Sequence, residues 1–211
     1  MKKILFALLA TAVMAMAESH THDGFFLNMA LGFGHQNFEY EGSSLQYGTK
    51  GLKLESSGLS SEFDLKLGGS LSNSIVLHAT IIGIGTASDI KAKRDGLPAY
   101  SNRNYTVGLS MLGIGMTYYL PVNVFFSGSI GLSQFTLDED DSNSNTNSTT
   151  VKGASDDGLG VQFAIGKEWW VSDNWGLGVS AGLLYSAAAD QHDAGDMSML
   201  AVNIMFSATF N

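Results

Sequence analysis

Five histidines, His20, His22, His35, His78 and His192, are the side chains of this sequence best suited to acid–base chemistry. A hydrolase or acyltransferase would need one of them beside a serine and oriented by a carboxylate. No spacing in the chain marks such a set. His20 and His22 precede the first alternating segment, and His35 closes it. His78 lies inside a later segment, and His192 sits among Asp190, Asp193 and Asp196. Serines crowd every polar stretch, so a serine near a histidine carries no weight. Metal chemistry is equally faint. Asp138, Asp140 and Ser142 alternate as calcium ligands would, but Asn143 stands where the turn glycine belongs. His20-Thr21-His22-Asp23 reads as a tail with weak metal capture at most. Cysteine is absent, which excludes disulfides, thiol catalysis and cysteine-bound metals. No catalytic set, metal or cofactor is expected.

A second group of polar residues, Glu62, Asp64, Lys66, Gln162 and Glu168, is defined by position rather than reactivity. Each sits on the polar parity of a segment that alternates with period two. The clearest such stretch is Gly158 to Ala181, GLGVQFAIGKEWWVSDNWGLGVSA. Leu159, Val161, Phe163, Ile165 and Trp169 share one parity, with Gly160, Gln162, Ala164, Gly166 and Glu168 on the other. After Ser172-Asp173-Asn174 the pattern resumes with Trp175, Leu177, Val179, Ala181, Leu183 and Tyr185. Strict alternation means extended strands, and two arms across a short break make a hairpin.

The face opposite the large apolar residues holds mostly Gly, Ala and Ser, too small for an ordinary solvated surface. It suits the cramped interior of a narrow barrel whose large residues face lipid. The competing arrangement is a soluble lipocalin-like barrel, which reverses the facing. Trp169, Trp170 and Trp175 flank the tight break, and Tyr118 and Tyr119 stand by another; such rings favour a membrane–water boundary. Lipid contact is expected for Phe25, Leu27, Leu31, Leu65, Phe163, Ile165, Leu177, Val179, Val202 and Ile204. Charged interior residues must be paired or hydrogen-bonded, so Lys66 is expected to pair with a carboxylate as part of the filling.

Read in order, the chain opens with Lys2-Lys3, an apolar run from Ile4 to Met16, and Ala15-Met16-Ala17. That is the pattern of a secretory signal peptide over 1–17, with a mature barrel over 18–211. Loss of Lys2 and Lys3 takes the net charge from −9 to −11. So acidic a chain lacks the basic footprint that nucleic acid requires. Eight alternating segments follow, separated by breaks that run long, short, long, short, long, short, long. The short breaks are Ser72–Ser74, Pro121–Asn123 and Ser172–Asn174. The long ones cover about 36–60, 88–103 (with Lys91, Lys93, Arg94 and Arg103), 138–157 and 186–196. In the third segment Leu77, Ala79 and Ile81 are placed outward and His78 and Thr80 inward. The fourth changes parity near Leu112-Gly113, which signals either a β-bulge or a misread facing. The reading is all-β: an eight-stranded antiparallel transmembrane β-barrel with short periplasmic turns and long extracellular loops, likewise closed because hydrocarbon tolerates no unpaired backbone.

The signal peptide, the eight segments, the rhythm of the breaks and the aromatic last strand together resemble the small outer-membrane barrels of the OmpA/OmpX-like superfamily. GIGMTYYLP (Gly113 to Pro121) and GKEWWVSDNWGLG (Gly166 to Gly178) are similar to turn motifs of an uncharacterised bacterial branch. The resemblance implies the outer membrane of a Gram-negative (diderm) bacterium, a monomer, and contact with outer-membrane lipid and lipopolysaccharide. It also implies an assembly signal, read by the barrel assembly machinery, at Phe206 and Phe210, although Asn211 follows the last phenylalanine. Function is expected to be structural or surface-interacting, non-enzymatic, through a ligand of the extracellular loops. A narrow ion or small-solute channel is the alternative, and a lipid A-modifying enzyme the third reading.

Overall fold

The computed structural model describes residues 21–44, 49–94, 97–139, 150–190 and 195–211. The expected signal peptide, His20, His192 and the Asp140–Asn143 part of the acidic run lie outside them. The strands are β1 (Phe25–Ser44), β2 (Thr49–Ser72), β3 (Ile75–Arg94), β4 (Leu97–Tyr119), β5 (Val124–Glu139), β6 (Thr150–Ala154), β7 (Gly158–Trp170), β8 (Trp175–Ala189) and β9 (Gly195–Phe210). Every neighbouring pair is antiparallel, β4 pairs with β5, and β1 pairs with both β2 and β9. The ring is therefore closed. Among the described residues β6 pairs only with the end of β5, and Ser155 just beyond it bridges to Asp190, its Oγ accepting from the Phe135 amide at 2.8 Å. Eight strands make the wall, and β6 is a short piece in line with β7.

Below mid-height the facing is inside-out. Leu31 is 65% exposed and Phe163 63%, and Leu177, Val179, Val202 and Ile204 are exposed with them. Leu77, Ala79 and Ile81 face outward on β3, and His78 and Thr80 are buried inward. Such a belt is stable only against hydrocarbon. The turns at this end are tight. In the β4–β5 turn Asn123 takes the left-handed conformation at φ 56°, which asparagine tolerates better than most residues, and its amide bonds the Leu120 carbonyl at 2.8 Å.

Above mid-height the chemistry of the two faces reverses. Phe38, Ile82, Ile84, Val107, Leu109, Met111, Phe135, Leu184, Met197 and Met199 point inward and form one buried apolar cluster. The polar residues Asn37, Glu39, Thr106, Ser110, Gln134 and Thr136 point outward instead. This explains the parity change near Leu112-Gly113. No bulge stands there: β3–β4 keeps one register from Ile75↔Tyr118 to Asp89↔Asn104, and β4–β5 is unbroken throughout. The strand keeps its facing while its surroundings change from lipid to water, so large apolar residues move from the outer wall to the core.

The same inversion corrects two expected loops. Residues 36–60 and 88–103 are largely strand, because β1 runs to Ser44, β2 starts at Thr49, β3 runs to Arg94 and β4 starts at Leu97. A transmembrane strand needs only about 9–11 residues, so β2, with 24, extends far past the belt. The polar, Gly- and Ser-rich outer residues read as loop, while alternating Phe38, Tyr40 and Leu54 were already pointing at a core.

Candidate functional site

The barrel interior gathers the polar residues at membrane height. Asp64 and Lys66, two residues apart on β2, both face inward and form a buried ion pair. Gln162 enters from β7, and its amide nitrogen donates to Glu62 Oε1 at 2.9 Å and Asp64 Oδ2 at 3.1 Å. Asn203 on β9 donates to Glu62 Oε2 and accepts from Ser60 Oγ at 3.1 Å. On the adjacent strand β3, the two ring nitrogens of His78 contact Thr80 Oγ1 at 2.8 Å and, on β4, Thr117 Oγ1 at 3.1 Å. Thr80 and Thr117 pass the chain on to Ser129 and Ser127. Thr80 sits inward with His78 as its parity indicates, while Asn203 and Thr117 lie on the small-residue parity of their strands, a signal present in the sequence but visible only once the strands are known to converge.

Glu168 stands apart from the Lys66 group, near the short-turn end. Its Oε2 accepts from Thr209 at 2.8 Å and from Tyr119 at 3.3 Å, and Asn28 donates to Thr209 at 2.7 Å. Its carboxylate needs the bare backbone of Gly176, where a Cβ would fall 2.3 Å from Glu168 Oε1. Tyr119 was expected at the membrane interface and instead points inward, 3% exposed. It has the parity of Thr117, whereas Tyr118 faces out with Met116. Trp170 likewise shares the inner parity of Glu168, leaving Trp169 and Trp175 as the exposed tryptophans. Phe206 faces out, and Phe210 is covered on the outer wall by Trp175 and Phe25, with ring centroids 5.3 and 6.3 Å away.

Both ends of this polar section are shut. The apolar cluster fills the barrel above it, with the Phe38 and Phe135 rings 5.7 Å apart. Phe26, Val76, Tyr119 and Phe125 form a floor. Beneath the floor, His22 from the N-terminal segment stacks on Tyr119 at 3.4 Å and lies 5.1 Å from Trp170. His22, expected in a free tail, is thus a buried stopper. Burial lowers its pKa from 6.5, against a smaller opposing pull from Asn211 and Asn123. The space left in the polar section is about 20 Å³, room for about one water. Asp64 Oδ1, Gln162 Oε1 and Ser207 Oγ, which lack protein partners, line it.

Outside, above the belt, Lys53 lies between Glu41, Glu39 and Glu55 at 2.9, 3.4 and 3.4 Å. Glu41 above all raises the Lys53 pKa, but pairs this exposed add little stability. Burial and then Asp190 raise the pKa of Tyr40 at the top of the lumen. On the same outer face His35 Nε2 lies 3.0 Å from Ser57 Oγ, which donates to Asn37 Oδ1 at 2.7 Å. Among the described residues no group of three or more His, Cys, Asp or Glu is placed to hold a metal.

No family model and no curated protein matches this chain. Solved structures do. The outer membrane protease OmpT of Escherichia coli aligns with 93% of this chain and 99% of its own at TM-score 0.50 and 11% identity. The fold is that of an outer-membrane β-barrel. The belt, the closure and the alternation already required a membrane-spanning barrel, and the likeness agrees in architecture. The barrel is also similar to OprG of Pseudomonas aeruginosa, with 8% identity, TM-score 0.48 and coverage of 92% and 98% of the two chains. Neisserial surface protein A (NspA) aligns at 12% identity and TM-score 0.47, over 88% and 96%. Identities this low speak for the fold alone.

Proposed function

We propose that this barrel is a non-enzymatic, non-conducting surface protein whose tall hairpins meet a ligand or partner outside the cell. The observation that carries the reading is the apolar cluster sealing the lumen above the polar residues. A pore needs a continuous polar path, and here, among the described residues, a cluster of fourteen buried hydrophobic residues interrupts it. The lower polar section is then filling: three carboxylates that accept from neutral donors, and one ammonium that donates to Asp64. The crown, in contrast, lifts exposed Glu39, Glu41 and Lys91, with half-buried Lys53 and Glu55, well above the belt, where polysaccharide, a host surface or another outer-membrane protein would meet them. Lipopolysaccharide is the natural neighbour of the crown's base, and Phe206 and Phe210 serve as the assembly signal.

The test has two arms. In planar bilayers the purified barrel shows no steady conductance; steady conductance that disappears on mutating Lys66 or Glu168 would replace this reading with the channel. Trimming β1–β2 and β3–β4 to belt height abolishes capture of surface polysaccharide or protein by whole cells; unchanged capture leaves a purely structural barrel.

The His35–Ser57 contact favours a lipid-active enzyme as second reading, at 3.0 Å and on the outer face. Against it, the Ser57 hydroxyl donates to Asn37 rather than to the imidazole, and no carboxylate orients His35 among the described residues. Mass spectrometry of lipid A and phospholipids from cells with wild type and Ser57→Ala decides; a product lost with Ser57→Ala would establish the enzyme.

A further inference from the structure

We propose that the outer wall holds one phospholipid of the periplasmic leaflet, an acyl chain in a hollow over Ala79 and Gly128 and the phosphate at Lys167. The hollow measures about 700 Å³ and is rimmed by Leu67, Leu77, Ile114, Met116, Ile130 and Phe163. Its floor is low because Ala79 and Gly128 face outward where the surrounding belt carries large residues. A Cβ placed on Gly128 would stand in ordinary van der Waals contact with the Phe163 ring, at 3.5 Å, so a side chain can be introduced there without displacing backbone.

Depth selects the occupant. Gly128 pairs with Met116 and Phe163, four residues from the start of β5 at Val124. Ala79 is four residues from the start of β3. The hollow therefore lies in the half of the belt nearest the short, periplasmic turns. It continues the lipid-facing surface, and the two polar residues of its lining, His78 and Ser129, turn their side chains inward to Thr80 and Thr117, leaving nothing to satisfy a peptide. A chain lying in it touches protein on several sides, so its many small dispersion contacts add up.

Lys167 supplies the headgroup end. It follows Phe163 by four residues on the outward parity of β7, about 13 Å along the strand toward the turns. Its ammonium donates to the Val122 carbonyl in the β4–β5 turn and stands 5.6 Å over the Trp169 ring. Exposed Trp169 marks the headgroup level. An ammonium has three donors; the Val122 bond uses one and leaves two for a phosphate. A lipid anchored there passes Ile165 and Phe126, which face each other across β5 and β7, and enters the hollow.

The test is native mass spectrometry of the barrel released from vesicles of phosphatidylethanolamine and phosphatidylglycerol. Wild type retains one phospholipid. Gly128→Leu, which fills the hollow, loses it; Ala181→Leu, which puts the same side chain on the outer face of β8, keeps it. Heat-dependent gel mobility verifies that each variant is folded, and Ala79→Leu replaces Gly128→Leu should the latter fail. Lys167→Gln weakens retention and removes any preference among headgroups. Wild type without a retained lipid, Gly128→Leu retaining as much as wild type, or Ala181→Leu losing as much would each overturn the site. Lys167→Gln behaving as wild type would overturn the phosphate contact.

Discussion

Replacing Lys66 by Met puts the interior reading to its hardest test. Met is close to the lysine stem in volume, so the packing change is small, and the charge is what disappears. In the native barrel the ammonium pairs with Asp64, with side-chain exposures of 8% and 3%. Gln162 ties Asp64 to Glu62. Without Lys66, two neighbouring carboxylates share neutral donors only. Removing one partner of a buried pair costs about 3–5 kcal/mol, most of it the penalty of the stranded charge. Adding Asp64→Asn removes that charge, and a buried pair replaced by neutral groups is often nearly neutral. The double variant should therefore recover most of the loss. Urea unfolding from phospholipid vesicles, followed by tryptophan fluorescence, gives the stabilities. If Lys66→Met lies within about 1 kcal/mol of wild type, or the double variant is no better than the single, the ammonium does not hold this interior together.

Val179→Arg, on the exposed belt, should cost about 2–4 kcal/mol near midplane, while Ser180→Arg should act by crowding the lumen; equal small effects in vesicle unfolding would mean the facing is wrong. Phe38→Ala should cost about 3–5 kcal/mol and, by thinning the apolar plug, raise bilayer conductance above wild type; unchanged conductance would show that the plug has redundant layers. His22 sits neutral in its pocket with a pKa lowered by burial, so its seating contributes fully above the unfolded value of 6.5 and is lost as pH falls from there through the folded value. Trp170 fluorescence should report release on acidification, and His22→Phe should remove that pH dependence. Gly176→Ala should displace the Glu168 carboxylate, lowering stability more than Gly182→Ala, whose Cβ meets only a backbone oxygen at 3.7 Å.

Much of this architecture is written locally. Period-two alternation is a property of neighbouring residues, so Phe163, Ile165, Leu177 and Val179 declare the lipid face without any knowledge of the fold. The parity of Glu62, Asp64, Lys66, Gln162 and Glu168 likewise sets them inside. An even number of such segments, with tight breaks at one end, leaves closure as the only way to satisfy the backbone in hydrocarbon.

What alternation does not contain is depth. Whether a large apolar residue belongs outside or inside depends on whether lipid or water surrounds the wall at that height, and that follows from the strand's position in the closed barrel. Residues 36–60 and the Leu112-Gly113 change therefore misled a local reading, although each strand kept its facing throughout. Closure alone brings Gln162 and Asn203 to Glu62 across 100 and 141 residues of chain, and it turns Tyr119 from the interface toward Glu168. It also creates the mouth that His22 stops, because a pocket made by β4, β7 and the chain ends has no signature in any one of them.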